Sequence, residues 1–168
     1  MTDLPLRLIL SDIRGAGNVG AMLRTADAAG VELVYAAGYT PYPSAPLLDD
    51  PRPPHVAASN TRAIAKTALG AERTIPLQHT PDTLTAIQEA KRNGFKIIVI
   101  EQSEKSLNLY HYQPKGPIAL VMGNEVEGVS PLILKTADVI LELPMLGSKE
   151  SLNVASAAAI ALYHLRFG

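Results

Sequence analysis

Three stretches of the chain gather residue types that could do chemistry. In "SDIRGAGNVGAMLRTADAAG", residues 11–30, Gly15, Gly17 and Gly20 complete a G-x-G-x-x-G behind the apolar run "LRLIL". That order outlines a turn that lays a dinucleotide pyrophosphate on a helix N-terminus. The same stretch carries Asn18 and Arg24 in what otherwise reads as an apolar helix. In "LVMGNEVEGVS", residues 120–130, a strand-like run ends in Gly123, and Glu125 and Gly128 follow. Glycine behind a parallel strand lets a ligand approach the backbone, and Glu125 could brace the loop by accepting backbone N–H bonds. The same spacing fits a tight turn with solvated acids. In "LPMLGSKESLNVASAAAIAL", residues 143–162, Pro144 and Gly147 interrupt the chain after a strand, and Ser151 and Asn153 lead into an alanine-rich helix. Ser151 is placed to cap that helix, which leaves Asn153 in a first turn whose free N–H groups attract anions such as phosphate. Ala155, Ala157, Ala158, Ala159 and Ala161 permit close packing, inside the fold or across a subunit interface.

These groups must be positioned by alternating strands and helices. Apolar runs at 6–10, 32–38, 95–101, 117–123 and 138–144 read as strands, several buried on both faces, with another short one expected at 73–77. Helical spacing covers 18–29, 59–69, 81–93, 130–136 and 151–165, and Gly30, Gly70 and Gly94 stand where helix stops belong. The order implies an α/β fold, a mostly parallel sheet flanked by helices on both faces. Residues 39–56 hold six prolines and read as a long irregular loop, functional or mobile. No repeat or break in composition divides residues 1–168, so a single domain is expected.

This frame works against a dinucleotide site. "SDIR" separates the first glycine from its strand. The acid expected about 20 residues on, at the end of the second strand, is replaced by "YAAGY", and Glu32 lies at that strand's wrong end.

Composition narrows the classes further. The chain has 168 residues, 47% of them hydrophobic and 18% charged, which is the balance of a globular domain. Net charge is −1, so a nucleic-acid partner must be met by a local patch. The absence of cysteine excludes disulfide and thiol chemistry and fits a reducing compartment. The N-terminus lacks the pattern of a secretory signal, and no run reaches the ~20 apolar residues that span a bilayer. A soluble, cytoplasmic protein is expected, with no membrane partner. No cluster of His, Asp and Glu has ligand spacing, so no metal is expected.

Taken together and in order, the three stretches resemble the three signature motifs of the SpoU (TrmH-like) family of RNA 2′-O-ribose methyltransferases, in the SPOUT superfamily. "NVGAMLRTADAAG" is similar to the first motif, "VMGNEVEGVS" to the second and "LPMLGSKESLNVASAAAIAL" to the third. The resemblance runs from about residue 6 to the end. It implies a parallel sheet whose C-terminal part, roughly residues 95–165, forms a deep trefoil knot, S-adenosyl-L-methionine (SAM) held bent by the knot loops, an RNA substrate (tRNA or rRNA) and a homodimer. It further implies that Asn18 and the essential Arg24 act from the first motif. Glu125 braces the active-site loop, and Ser151 and Asn153 stand near the target ribose. By the same resemblance, SAM is held mainly by backbone at Gly123, Leu143 and Met145, with Ser151 and Leu152 beside it and Ile100 and Glu101 at the adenosine.

Many such relatives add an RNA-binding domain or basic terminal helices, and neither is expected here. RNA grip would fall to scattered cations such as Arg14, Arg52, Arg62, Lys66 and Lys149, or to a dimer that doubles them. With two Phe and no Trp, extensive base stacking is not expected, although six Tyr could contribute. The tyrosines of the Pro-rich loop are alternatively core or lid. None of the four histidines falls in the motifs, and none of the motif acids is an evident base. The family's proposed mechanism treats Arg24 as the base. A guanidinium normally stays protonated, so a bidentate clamp on a phosphate beside the ribose conflicts less with its chemistry.

Overall fold

The computed structural model describes residues 4–44 and 50–168. Seven strands form one sheet: β1 (Leu6–Ser11), β2 (Leu33–Ala37), β3 (Leu77–Thr80), β4 (Lys96–Ile100), β5 (Leu107–Asn108), β6 (Ile118–Met122) and β7 (Val139–Glu142). Their order across the sheet is β3-β2-β1-β6-β4-β7-β5, and every pairing is parallel. β6 is the central strand, and all five of its residues, "IALVM", are buried. A parallel strand covered by helices on both faces has no solvent side, so it reads as an unbroken apolar run.

Two helical layers cover the sheet. Against one face lie α1 (Ala16–Ala28), α2 (Pro54–Ala68), the single turn α3 (Ala71–Thr74) and α6 (Val154–Phe167), packing Val19, Met22, Leu23, Ile64, Ala158 and Leu162 onto Leu6, Leu8 and Leu10. Against the other lie α4 (Thr83–Arg92) and the single turn α5 (Pro131–Leu134), packing Ala86, Ile87, Ala90 and Ile133 onto Ile9, Ile97, Val99 and Val121. Local chemistry sets the ends. Asp82 caps α4 by accepting from Thr85 N at 2.7 Å, and Lys91 and Arg92 close its last turn. Pro54 opens α2 at a position where its missing N–H costs nothing.

Some boundaries differ from the sequence expectation. α2 starts at Pro54, so the irregular loop is shorter than the run of prolines suggests; residues 45–49 of that loop lie outside the described residues. The strand expected at 73–77 is instead α3 followed by β3, because Gly70 restarts a helical turn in the left-handed region and pairing with β2 begins at Leu77. β3, "LQHT", is an edge strand with a half-polar surface, which leaves no apolar run to read. The last helix begins at Val154 and its cap is Asn153, not Ser151: Asn153 Oδ1 accepts from Ala155 N at 2.9 Å and Ser156 N at 3.4 Å.

Candidate active site

The loops that leave the C-terminal ends of β1, β4, β6 and β7 meet at one edge of the sheet. A cavity of about 490 Å³ opens among them, lined by residues 100–102, 122–129, 142–143, 145 and 150–152 together with Leu134, Val154 and Ala157. In a parallel sheet this crevice is where ligands are expected.

Each loop is braced by a hydrogen bond reaching another. Glu125 accepts from Arg14 N at 2.8 Å, Gly15 N at 3.0 Å and Asn18 Nδ2 at 2.8 Å. Partial burial raises the Glu125 carboxyl, but the bonds from Arg14, Asn18 and Gly15 outweigh it and hold the group below the ordinary carboxylate range. Asn18 passes the contact on, its Oδ1 accepting from Asn153 Nδ2 at 3.1 Å. Thus Glu125, Asn18 and Asn153, one from each motif, form a continuous chain of hydrogen bonds. Glu101 accepts from Val129 N at 2.8 Å, and Gln102 Nε2 donates to Glu150 O at 2.7 Å.

Asn124, which sequence reasoning passed over, locks the loop after β6. Its Nδ2 donates to Asp12 O at 2.8 Å and to the Tyr39 hydroxyl at 2.6 Å, and its Oδ1 accepts from Val126 N and Glu127 N. The only local signal was an Asn set between Gly and Glu in a turn. Gly123 is needed for a reason internal to this loop. A Cβ there would lie 2.5 Å from Val129 Cγ2 and 2.7 Å from Gly128 C, so the glycine lets the turn fold back on itself.

Ile100, Glu101, Gly123, Leu143, Met145, Ser151 and Leu152 all line the cavity. Ser151 and Leu152 are exposed at its mouth, whereas Leu143 is buried. The lining adds four acids to Glu101: Glu125, Glu127, Glu142 and Glu150. No histidine takes part in it.

Arg24 stands apart. It lies about 9 Å along α1 from Asn18 by helical rise. It faces a second groove of about 670 Å³ formed with Ala21, Ala28, Lys66, Leu69, Ala159 and Tyr163. It is exposed, not held among its apolar neighbours, and has no ion pair among the described residues. Neither nearby acid pairs with it: Asp27 accepts from Thr74 Oγ1, and Glu125 is engaged by Arg14, Gly15 and Asn18.

Of the glycine triplet, Gly20 does packing work. A Cβ on Gly20 would collide with Thr67 Oγ1 and the Ile64 carbonyl of α2, so this glycine brings the two helices together. Gly15 is the cap of α1, and Gly17 has nothing nearer than 4.0 Å. Of the cations expected to grip RNA, Arg52 is engaged: it pairs with Asp50 and lies 3.5 Å over the Tyr42 ring. Arg14, Arg62, Lys66 and Lys149 are exposed.

Comparison with known proteins agrees with this arrangement. Residues 52–163 match the model of the SpoU rRNA Methylase family. The chain is 36% identical over 160 residues to the 23S rRNA (guanosine-2′-O-)-methyltransferase RlmB of Ralstonia nicotianae, covering 95% of this chain and 57% of that protein. It is 34% identical to the RlmB of Neisseria meningitidis, covering 99% of this chain and 60% of that one. The chain therefore spans a little under three-fifths to three-fifths of these relatives. Among solved structures, the AdoMet-bound rRNA methyltransferase of Sinorhizobium meliloti superposes with a TM-score of 0.77 at 26% identity, over 95% of this chain and 55% of that one. The A. aeolicus TrmH/SpoU tRNA modifying enzyme superposes with a TM-score of 0.71 at 28% identity, over 98% of this chain and 74% of that one.

Proposed function

The chain belongs to the SpoU rRNA methylase family, and from that premise we propose that it is a cytoplasmic enzyme that transfers the methyl group of SAM to a ribose 2′-OH of tRNA or rRNA. The observation that carries this reading is the hydrogen-bonded chain Glu125–Asn18–Asn153 at the rim of an acid-lined cavity.

The residues present fit SAM. Ile100, Met122, Leu143 and Leu152 supply apolar surface for an adenine, and the backbone around 101–102, 123–124 and 143–145 supplies polar edges. Five glutamates surround the space, which suits a ligand bearing a sulfonium and an ammonium and repels the pyrophosphate of a dinucleotide. The N-terminus of α6, which borders the cavity, is capped by the Asn153 side chain. When bound, SAM supplies a methyl group already activated by its sulfonium, so positioning is the protein's main task.

Glu125 is kept ionised by its three N–H donors and holds the loop after β1 against the loop after β6. Asn18 and Asn153, oriented through that carboxylate, are placed to hold a ribose at the cavity rim. Ser151, exposed at the mouth, is placed to hydrogen-bond the same sugar.

The trefoil knot is assigned to residues 95–165. It is supported by the sheet order, in which β7 pairs on the far side of β4 while α6 returns to pack with α1. Arg24 lines a groove separate from its own protomer's cavity. A second copy would bring it to a cavity, and we read the enzyme as a homodimer joined through the faces of α1 and α6 and the end of α2, where Tyr163 and Leu69 are exposed. Arg24 then clamps a phosphate beside the ribose or manages the hydroxyl proton.

Calorimetric titration of the protein with SAM, in parallel with NADH, tests the cofactor assignment. Saturable SAM binding with no NADH binding supports it, and the opposite pattern overturns it. Incubation with methyl-labelled SAM and bulk RNA then tests transfer.

A further inference from the structure

Tyr39 is an exposed aromatic ring held rigid at the rim of the site. It follows β2, and Tyr39 is 60% exposed although the residues on either side are pinned. Tyr39 N donates to Asp12 Oδ1 at 3.2 Å, and its hydroxyl accepts from Asn124 Nδ2 at 2.6 Å. Thr40, 1% exposed, donates to Leu10 O and accepts from Ile13 N, both at 3.0 Å. Gly38 N donates to Thr80 O at 3.0 Å, and the positive φ of Gly38 leaves room for the Asp12 carboxylate, which a Cβ would strike. Asp12 itself adopts φ 53°, a conformation that costs a non-glycine residue energy and persists where the surroundings demand it. Four elements thus fix a ring that buries little apolar surface.

The contrast with Tyr42 is instructive. Both faces of Tyr42 are taken, by His79 at 4.4 Å and by the Arg52 guanidinium at 3.5 Å. Among the described residues, no ring or cation lies on Tyr39. Arg14 lies two residues beyond Asp12 in the loop after β1; its amide donates to Glu125 while its side chain stays exposed. Asn124 and Glu125, the partners of these two residues, both line the cavity.

We propose that Tyr39 is a stacking platform for an unpaired RNA base next to the methylated ribose, with Arg14 on the adjoining phosphate. The inference rests on the function proposed above and adds a preference: the substrate presents its target in a single-stranded segment. A ring already fixed loses little conformational entropy on stacking, and base–aromatic stacking tolerates any base because each has a π-face.

The test uses the full chain, a fluorescein-labelled 9-nucleotide single-stranded RNA of mixed sequence, the same strand in duplex, and the same strand with an abasic central ribose. Binding is read by anisotropy for the wild type, Tyr39→Ala and Tyr39→Phe, with SAM affinity measured alongside. Tyr39→Ala is expected to weaken single-strand binding about tenfold, the order of one lost stacked base. Tyr39→Phe keeps the ring and should stay within about threefold of wild type. Duplex and abasic RNA should distinguish the variants little, and SAM affinity should be equal in all three. Equal single-strand binding by Tyr39→Ala and wild type overturns the proposal. So does a loss in Tyr39→Phe as large as in Tyr39→Ala, which would mean that the hydroxyl's hold on Asn124, not the ring, matters. If the wild type transfers methyl to RNA while Tyr39→Ala binds RNA normally, only the platform falls. A wild type that neither binds RNA nor transfers methyl removes the underlying function as well.

Discussion

Removing the Glu125 carboxylate should loosen two loops at once. Glu125→Ala deprives Arg14 N, Gly15 N and Asn18 Nδ2 of their acceptor. Hydrogen bonds to a charged group contribute about 1.5–3 kcal/mol each when sheltered. Glu125 is exposed, and water can replace part of each bond, so about 0.5–1 kcal/mol apiece is the better figure. The sum is roughly 1.5–3 kcal/mol, which in a chain of this size lowers Tm by about 3–12 °C. Glu125→Gln keeps one acceptor oxygen but turns an NH₂ toward N–H donors, so about half the loss remains. Hydrogen exchange should speed up at the Arg14 and Gly15 amides specifically, and methyl transfer should fall by ~10²-fold or more as Asn18 loses its orientation. The pH dependence has a definite sign. The folded carboxyl titrates below the ordinary value, so its contribution is fully present above the unfolded pKa of about 4.3 and is lost as pH falls through the lower folded value. The Tm gap between wild type and Glu125→Gln should therefore be constant from pH 8 to 5 and close below pH 4. Unchanged exchange at Arg14 and Gly15 in Glu125→Ala, or a gap that widens in acid, would refute the argument.

Three further outcomes follow from named contacts. Gly20→Ala should destabilise by about 1–3 kcal/mol through collision with the α2 backbone, whereas Gly17→Ala, in open space, should be neutral or gain up to ~1 kcal/mol; thermal melts of the pair decide this. Gly123→Ala should lower Tm and SAM affinity together, because its Cβ meets residues 128–129; calorimetry that shows lost SAM binding at an unchanged Tm would restore direct ligand contact as the cause. Arg24→Ala should leave Tm and SAM affinity intact while single-turnover transfer drops ~10²-fold or more. Arg24→Lys, lacking the planar fork, should recover little of it, and full transfer by Arg24→Ala would end the assigned role.

Much of the scaffold was legible because it rests on patterns that burial imposes. The strands β1, β2, β4, β6 and β7 are apolar runs, and α4 carries a cap, an apolar stripe and a closing glycine in plain view. β3 and β5 were not legible, since one is a half-polar edge and the other is two residues long. At the site, motif order brought out Asn18, Glu125 and Asn153, which sit far apart in sequence yet form one hydrogen-bonded chain. Asn124 escaped notice, and Tyr39 was read only among the tyrosines of the Pro-rich loop as stacking, core or lid, because their pairing joins loops 85 residues apart and a lone Asn or Tyr in a loop carries no periodic signal. Arg24 was placed on the right helix but in the wrong surroundings: alternating apolar residues show which face is buried only once the helix's angular setting is known, and Arg24 faces outward.

The central claim is that the methyl group goes to a ribose hydroxyl of RNA. RNA incubated with the protein and methyl-labelled SAM can be digested to nucleosides and separated by chromatography with mass detection. All of the label should appear in 2′-O-methylated nucleosides, with none in Glu125→Ala samples beyond ~1% of the wild-type yield. Label carried on a base, or no label in RNA from a protein that binds SAM, would contradict the account.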